Sequence, residues 1–184
     1  MVDLYIRELC VTVLLALPFY LVIRRPWRIW SKREAALATF VLFMIGLWML
    51  TLGIPEQGPD AMLSLAMDRI RTGEGINLVP FRSIVSYFQH YGYGELFLVN
   101  FCGNIVMFMP WGFGLVLLWK RKQHVRSVLL HALGLTVFIE FGQLFIGRSV
   151  DVDDLILNFL GSGLGAGLYF LLRRIYPPIS EFSR

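Results

Sequence analysis

Charge is scarce in this 184-residue chain: Asp, Glu, Lys and Arg together make up 16% of it, against 57% hydrophobic side chains. A water-soluble domain carries about a quarter charged residues, so this deficit and a mean hydropathy of +0.63 exclude an ordinary soluble globule. Cysteine is scarcer still. Cys10 and Cys102 stand far apart in two apolar runs, which suggests neither a disulfide framework nor a thiolate metal site. No Walker loop, dinucleotide glycine fingerprint, HExxH or GxSxG elbow is present, which argues against an ATP-driven pump or a serine hydrolase of known pattern. Strand-type alternation, internal repeats, low-complexity tracts and interdomain linkers are absent too.

What fills the chain is apolar sequence in five runs, 4–23, 35–54, 96–119, 127–147 and 155–172. Each approaches the roughly 20 residues that cross a hydrocarbon core as helix. The expectation is one membrane domain over 1–184, an all-α polytopic bundle of about five transmembrane helices. The first run is the weakest, because Arg7 and Glu8 must snorkel to the interface. The pI of about 9.3 and net charge of +4 would suit nucleic acid in a soluble protein. Here the basic residues cluster between the runs, where they set topology, and no nucleic-acid partner is expected.

Counting Lys and Arg in alternate loops gives twelve on one side and five on the other. The rich side, with Arg24, Arg25, Arg28, Lys32, Arg33, Lys120 to Lys122, Arg126 and the C-terminal arginines, is assigned to the cytoplasm, which makes the expected location the cytoplasmic membrane. That places the N-terminus outside and the C-terminus inside. The positive cluster after the first run also argues for a retained first helix rather than a cleaved signal peptide.

The outer segment 55–95 is only partly polar. Met62, Leu65, Ala66 and Ile70 recur at helical intervals, with Asp68, Arg69 and Arg71 elsewhere, which predicts an interfacial helix over 61–70. Residues 72–75 form a turn. Pro80 then breaks helix, and Ser83 is placed to cap a short amphipathic piece through Gln89, with 78–88 on or in the outer leaflet.

The polar residues inside the runs are the informative ones. Asn100 and Asn104 share a face of the third run, and Pro110 predicts a kink there. Asn104 and Glu140 lie at matching depth, roughly 12 and 10 Å from the outer ends of their helices at the helical rise. Asp151, Asp154, Asn158, Ser162 and Gly165 fall on one stripe of the fifth run, with Asp153 pointing away, while Gly161, Gly165 and Ser162, Ala166 form small-xxx-small pairs suited to close helix contact.

A carboxylate as deep as Glu140 must be protonated, paired or facing a wet cavity, and Gln143, Asn104, Asn158 and Arg148 are its available partners. Two chemistries compete with a plain hydrogen-bonded network between helices. In one reading Arg148 with Asp151 and Asp154 forms a plain ion-pair cluster; in the other the two acids hold a divalent cation through oxygen ligands and Arg148 with Arg82 grips a phosphate. His131, a lone histidine near the cytoplasmic end of its run, is read as structural.

The segments NLVPFRSI (77–84), NFCGNIVMFMPW (100–111), IEFGQ (139–143) and RSVDVDDLILNFLGSGLG (148–165) together resemble the VanZ-like family of bacterial membrane proteins. The likeness spans about 77–169. It implies a multi-pass envelope protein whose namesake is associated with low-level teicoplanin resistance. The family's polar positions correspond here to Asn77, Arg82, Asn104, Glu140, Gln143, Arg148, Asp151, Asp154 and Asn158. The favoured expectation is an outer-leaflet pocket that binds or modifies a membrane lipid headgroup or a lipid-linked cell-wall precursor, with no cofactor. The alternatives are a metal-dependent enzyme on lipid phosphate, with Glu140, Asp151 and Asp154 as catalytic candidates around a divalent cation, and a structural subunit whose partner does the work.

Overall fold

Ser31 opens the first long helix because its hydroxyl accepts the Glu34 amide at 3.3 Å, satisfying one of the donors that a helix start leaves free. A computed structural model describes residues 10, 13, 17–18, 20–24, 31–53, 57–91 and 95–183. In chain order they form α1 (Lys32–Thr51), α2 (Pro59–Thr72), the two-residue strand β1 (Ile76–Asn77), α3 (Arg82–Tyr91), α4 (Glu95–Leu118), α5 (Val125–Phe145), β2 (Val150–Asp151) and α6 (Val152–Ile175). Single 3-10 turns follow α4 at Lys120–Lys122 and α6 at Pro177–Phe182. The fold is an all-α polytopic bundle.

Four of the described helices are long and apolar enough to cross a membrane: α1, Asn100–Leu118 within α4, α5 and α6. They match the second to fifth apolar runs. The described residues of the first run, 20–24 among them, are helical; the rest of that run, with Arg7 and Glu8, lies outside the described residues, as do Arg25 and Arg28. Large apolar side chains such as Trp48, Leu130, Phe138, Phe141, Leu164 and Leu171 are exposed on the outside of the bundle, where a lipid solvent accommodates them. Pro110 sits within an unbroken α4, its missing N–H tolerated inside the helix.

Helices α4 and α6 make the most extensive contact, and glycine is the reason. A Cβ built on Gly165 would fall 1.9 Å from the Met109 carbonyl oxygen, one on Gly161 would fall 2.2 Å from that of Ile105, and one on Gly112 would fall 1.8 Å from that of Ser162. Backbone touches backbone along this seam, as small-xxx-small spacing allows. Deeper in the bundle Val116, Val128, Ala166 and Tyr169 form one apolar cluster, and Leu47, Phe108 and Ile139 form a second. The second cluster joins α1, α4 and α5 and becomes a floor for the site above it.

The segment between α1 and α4 supplies the short helices expected between the second and third runs. Helix α2 begins at Pro59 and ends on Gly73, whose left-handed φ of 74° lets its N–H reach the Arg69 carbonyl. Its packed face is the one that the apolar spacing picks out, with Met62 and Leu65 half-buried, except that Arg69 takes the place of Ile70. Ala66 and Arg69 are buried, whereas Ile70 is exposed. Strand β1 then pairs in parallel with β2, Ile76 opposite Val150 and Asn77 opposite Asp151, which carries the segment back across the end of the bundle.

The seam makes a sharp prediction. Gly165→Ala must push α4 and α6 apart, so it lowers thermal stability in detergent by about 1–3 kcal/mol, as overpacking does. At Gly167 an added Cβ meets nothing within 4 Å, so Gly167→Ala is neutral or stabilising. Equal unfolding temperatures for the two variants would contradict the backbone contact.

Candidate functional site

Four helix ends and the two-strand bridge meet around a cavity of about 180 Å³. One buried water needs only about 10–15 Å³ on that measure. Leu50 and Thr51 enter from the end of α1, Ser83 and Ile84 from α3, and Asn100 to Phe108 from the first half of α4. Ile139, Glu140 and Gln143 come from the end of α5, and Arg148 to Asn158 from the turn and start of α6. The floor is apolar, made by Met107, Phe108, Ile139 and Leu157; the walls and mouth are polar.

Each acid on the wall has its place set by a backbone or amide donor. Glu140 is buried and one carboxylate oxygen, Oε2, accepts the Asp151 N–H at 2.9 Å. Asp154 accepts the Asn104 amide at 2.6 Å, which ties α6 to α4. Asp151 is the N-cap of α6 and accepts the Asp153 N–H at 2.9 Å and the Asn77 amide at 2.9 Å, while its second oxygen takes the Ser83 hydroxyl. Asp153 is 1% exposed. It accepts N–H groups from Phe81, Ser83 at 2.8 Å and Ile84 at 3.1 Å, and so caps α3 from another element. Two carboxylates at the positive end of α6 also suit its dipole.

The two arginines near the site serve carbonyls. Arg148 donates through Nη1 to the Leu50 and Thr51 oxygens at 2.6 and 3.0 Å, closing the end of α1. Arg69, 7% exposed, donates to Gly75 at 3.0 Å, Glu74 at 3.2 Å, Gln143 at 3.4 Å and the Arg148 carbonyl. It therefore meets the carbonyl-rich end of α5 with a cation. Gly75 has φ +66°, and a Cβ there would lie 2.3 Å from the Arg69 guanidinium, so any other residue would strain the turn and displace that side chain. Gln143 gives its amide to Thr51 at 3.2 Å. That leaves Gln143 Oε1 buried without a partner, as is Asn158 Oδ1.

The VanZ/LLP1 family matches this chain over residues 40–173, from within α1 almost to the end of α6. The chain belongs to the VanZ-like family. It is also similar to an uncharacterized membrane protein of Bacillus subtilis (strain 168), YwnJ, with 36% identity over 58 residues, which is 32% of this chain and 41% of that protein. The match thus spans well under half of the relative's length. No solved structure gives a significant match. With its four apolar helices, this VanZ-like chain is a multi-pass membrane protein.

Of the VanZ-like polar positions expected to form a site, Asn104, Glu140, Gln143, Arg148, Asp151, Asp154 and Asn158 all line the one cavity. Asn77 stands behind the wall and positions Asp151. Arg82 is exposed and does not line the cavity, so the pair of arginines expected to grip a phosphate is not assembled. Nor is the expected ion-pair cluster: among the described residues Arg148 pairs with no carboxylate, its Nη1 being spent on carbonyls. Among those residues, too, no three His, Cys, Asp or Glu side chains converge as a metal site would require.

Two further corrections concern Asp153 and Ser83. Asp153 does not point away; it lines the cavity and is almost fully buried. Ser83 does not cap α3, because that task falls to Asp153, and Ser83 instead donates to Asp151. Arg69 escaped sequence reasoning because a cation was assigned to the solvent face of α2. The available signal was its spacing, three residues after the buried Ala66.

Asp153→Ala leaves three amides without an acceptor, and a buried unmade hydrogen bond costs about 1–3 kcal/mol. Hydrogen exchange at Phe81, Ser83 and Ile84 is therefore expected to accelerate at least about tenfold in the variant, the change that 1.4 kcal/mol brings. Unaltered protection at those amides would show that the clamp contributes nothing.

Proposed function

We propose that this protein binds a lipid headgroup, alone or as part of a lipid-linked cell-wall precursor, in the cavity at the bundle end, and that the site faces the outer leaflet. The observation that carries this reading is one cavity lined by two carboxylates that each have only one oxygen engaged, Glu140 and Asp154, beside the carboxamides of Gln143 and Asn158. A purely structural network would satisfy its own members, since an unpaired polar atom in a dry interior is costly. The size of the cavity favours a small polar group, because sites for whole drug-sized ligands are commonly 300–1,000 Å³. Exposed Leu78, Val79 and Phe81 beside it offer an apolar approach for acyl chains. The family's association with glycopeptide resistance fits a protein that engages envelope lipid at this face. The metal-dependent alternative has less support, because Asp151 and Asp153 are occupied by amide, hydroxyl and backbone donors.

Asn158→Leu separates ligand binding from helix glue. Leu is close in size and removes an acceptor that has no partner, so the variant is expected to keep or raise its unfolding temperature in detergent while losing most of its co-purified lipid. A fall in stability of about 2 kcal/mol or more, of the kind a lost buried hydrogen bond produces, with lipid content unchanged, would favour the structural reading instead.

The outward orientation rests on the twelve-to-five division of Lys and Arg. With Cys10 and Cys102 replaced by Ser, Thr72→Cys is expected to react with a membrane-impermeant maleimide in intact cells, and Arg121→Cys only after permeabilisation. The reverse pattern would put the cavity on the cytoplasmic face.

A further inference from the structure

Among the described residues, the cavity wall carries carboxylate oxygens that no donor of the protein engages. Glu140 uses Oε2 on the Asp151 N–H, which leaves Oε1. Asp154 uses Oδ1 on Asn104, which leaves Oδ2. Gln143 cannot reverse its carboxamide without giving up the Thr51 carbonyl, so its Oε1 stays turned from that bond. Asn158 Oδ1 is likewise unpartnered, in a residue 3% exposed. Several donors on the same wall are committed: the Asn104 amide to Asp154, the Gln143 amide to Thr51, the Ser83 hydroxyl to Asp151 and Arg148 Nη1 to carbonyls.

Charge points the same way. Glu140, Asp151, Asp153 and Asp154 line the cavity, and Arg148 is the lone cation among the lining residues, exposed at the mouth. A phosphate would bring acceptors to acceptors and negative charge to carboxylates, which is unfavourable wherever water is excluded. A primary ammonium brings three donors and one positive charge in a compact group. It has room here, and it answers both deficits at once.

We propose that the group taken into this cavity is a primary ammonium, with the phosphate of the same headgroup left outside near the mouth. Glu140 and Asp154 supply the charge and, through their unengaged oxygens, the acceptors, while the Gln143 and Asn158 side chains complete the polar wall. This rests on the headgroup-binding reading and gives that site its ligand chemistry. An aminophospholipid and a soluble amine both carry the group, and they are separated by experiment.

The full-length protein in nanodiscs, analysed by native mass spectrometry, would be offered phosphatidylethanolamine, phosphatidylcholine and phosphatidylglycerol with matched acyl chains. Phosphatidylethanolamine is expected to be retained about tenfold better than either competitor, a difference of 1.4 kcal/mol. Phosphatidylcholine carries the same charge but no N–H donor, so it isolates the hydrogen-bonding contribution. Glu140→Gln with Asp154→Asn is expected to reduce that preference to about twofold or less, or 0.4 kcal/mol at that ratio. Displacement of bound lipid by millimolar ethanolamine, where propionate has no effect, would assign the ammonium to a soluble amine and still support the chemistry. Preference of the wild-type protein for phosphatidylglycerol would overturn the ammonium assignment and leave headgroup binding intact. Lipid retention that is the same for all three lipids and insensitive to Asn158→Leu would overturn both. The wild-type lipid series needs no substitution, so a variant that fails to fold does not weaken the test.

Discussion

Backbone N–H groups with no water to bond must find an acceptor within the protein, and at this end of the bundle one carboxylate does most of that work. Asp153 receives the amides of residues 81, 83 and 84. An irregular segment thereby becomes a fixed wall. Phe81 sits there with φ +66°, a left-handed conformation that a bulky residue adopts only under constraint. The strain is offset by the bonds that its own amide and the next turn make to Asp153. Asp151 completes the attachment through Asn77 and Ser83, and the β1–β2 bridge aligns the two stretches so that these contacts coincide. Without the aspartates, α3 would have no reason to start where it does, and the cavity would lack a side.

The same helix that carries the clamp also sets the cavity's depth. Along α6, Gly161 and Gly165 bring its backbone against Ile105 and Met109 of α4. Nearer the mouth, Asn158 and Asp154 stand about one and two turns before Gly161 on α6, Asn104 stands next to Ile105 on α4, and all three line the cavity. Side chains with volume replace glycine, and polar groups replace backbone contact. The close seam below therefore fixes how far apart the helices stand above, in the way that packed interiors transmit small changes of size. Arg69 and Arg148 act on the rim, each supplying donors to the carbonyls that α5 and α1 leave free at their ends.

What the chain disclosed in advance follows from which constraints are local. Glu140, Asn104, Asp154 and Asn158 stood out because ionisable and amide groups are expensive inside apolar runs; the helical rise places Asn104 and Glu140 at matching depth, and the helical period puts Asp154 and Asn158 on one stripe. Gly161 and Gly165 were legible for the same reason. Asp153 was misplaced because the 100° rule assigns a helix face, whereas a side chain in the first turn tilts back toward the N-terminus and reaches whatever lies before the helix. What lies there is the 81–84 segment, some 70 residues earlier. Arg69 shares that non-local character: its partners are the ends of α5 and the turn at Gly75. Arg82 was singled out for its charge, yet the structure uses this neighbourhood for its backbone amides and turns the side chain outward.

An interior that leaves acceptors unpaired pays a standing cost in stability, and folding alone gives no reason to keep it. Gln143 at least ties α5 to α1 through the Thr51 carbonyl, but replacing Asn158 by an apolar residue of similar shape would remove an unmade bond from a wall whose floor is already Phe108, Ile139 and Leu157. On packing grounds, that is the more stable arrangement. The presence of both carboxamides beside two half-engaged carboxylates, above an apolar floor and below exposed Leu78 and Phe81, forms a gradient from apolar base to anionic wall to apolar rim. On the proposed reading, a headgroup with its chains in the bilayer would meet these three environments in the reverse sequence, rim first. The clamp at Asp153 would serve that entry by holding the rim in place before any ligand arrives, so that the ordering cost falls on folding rather than on binding.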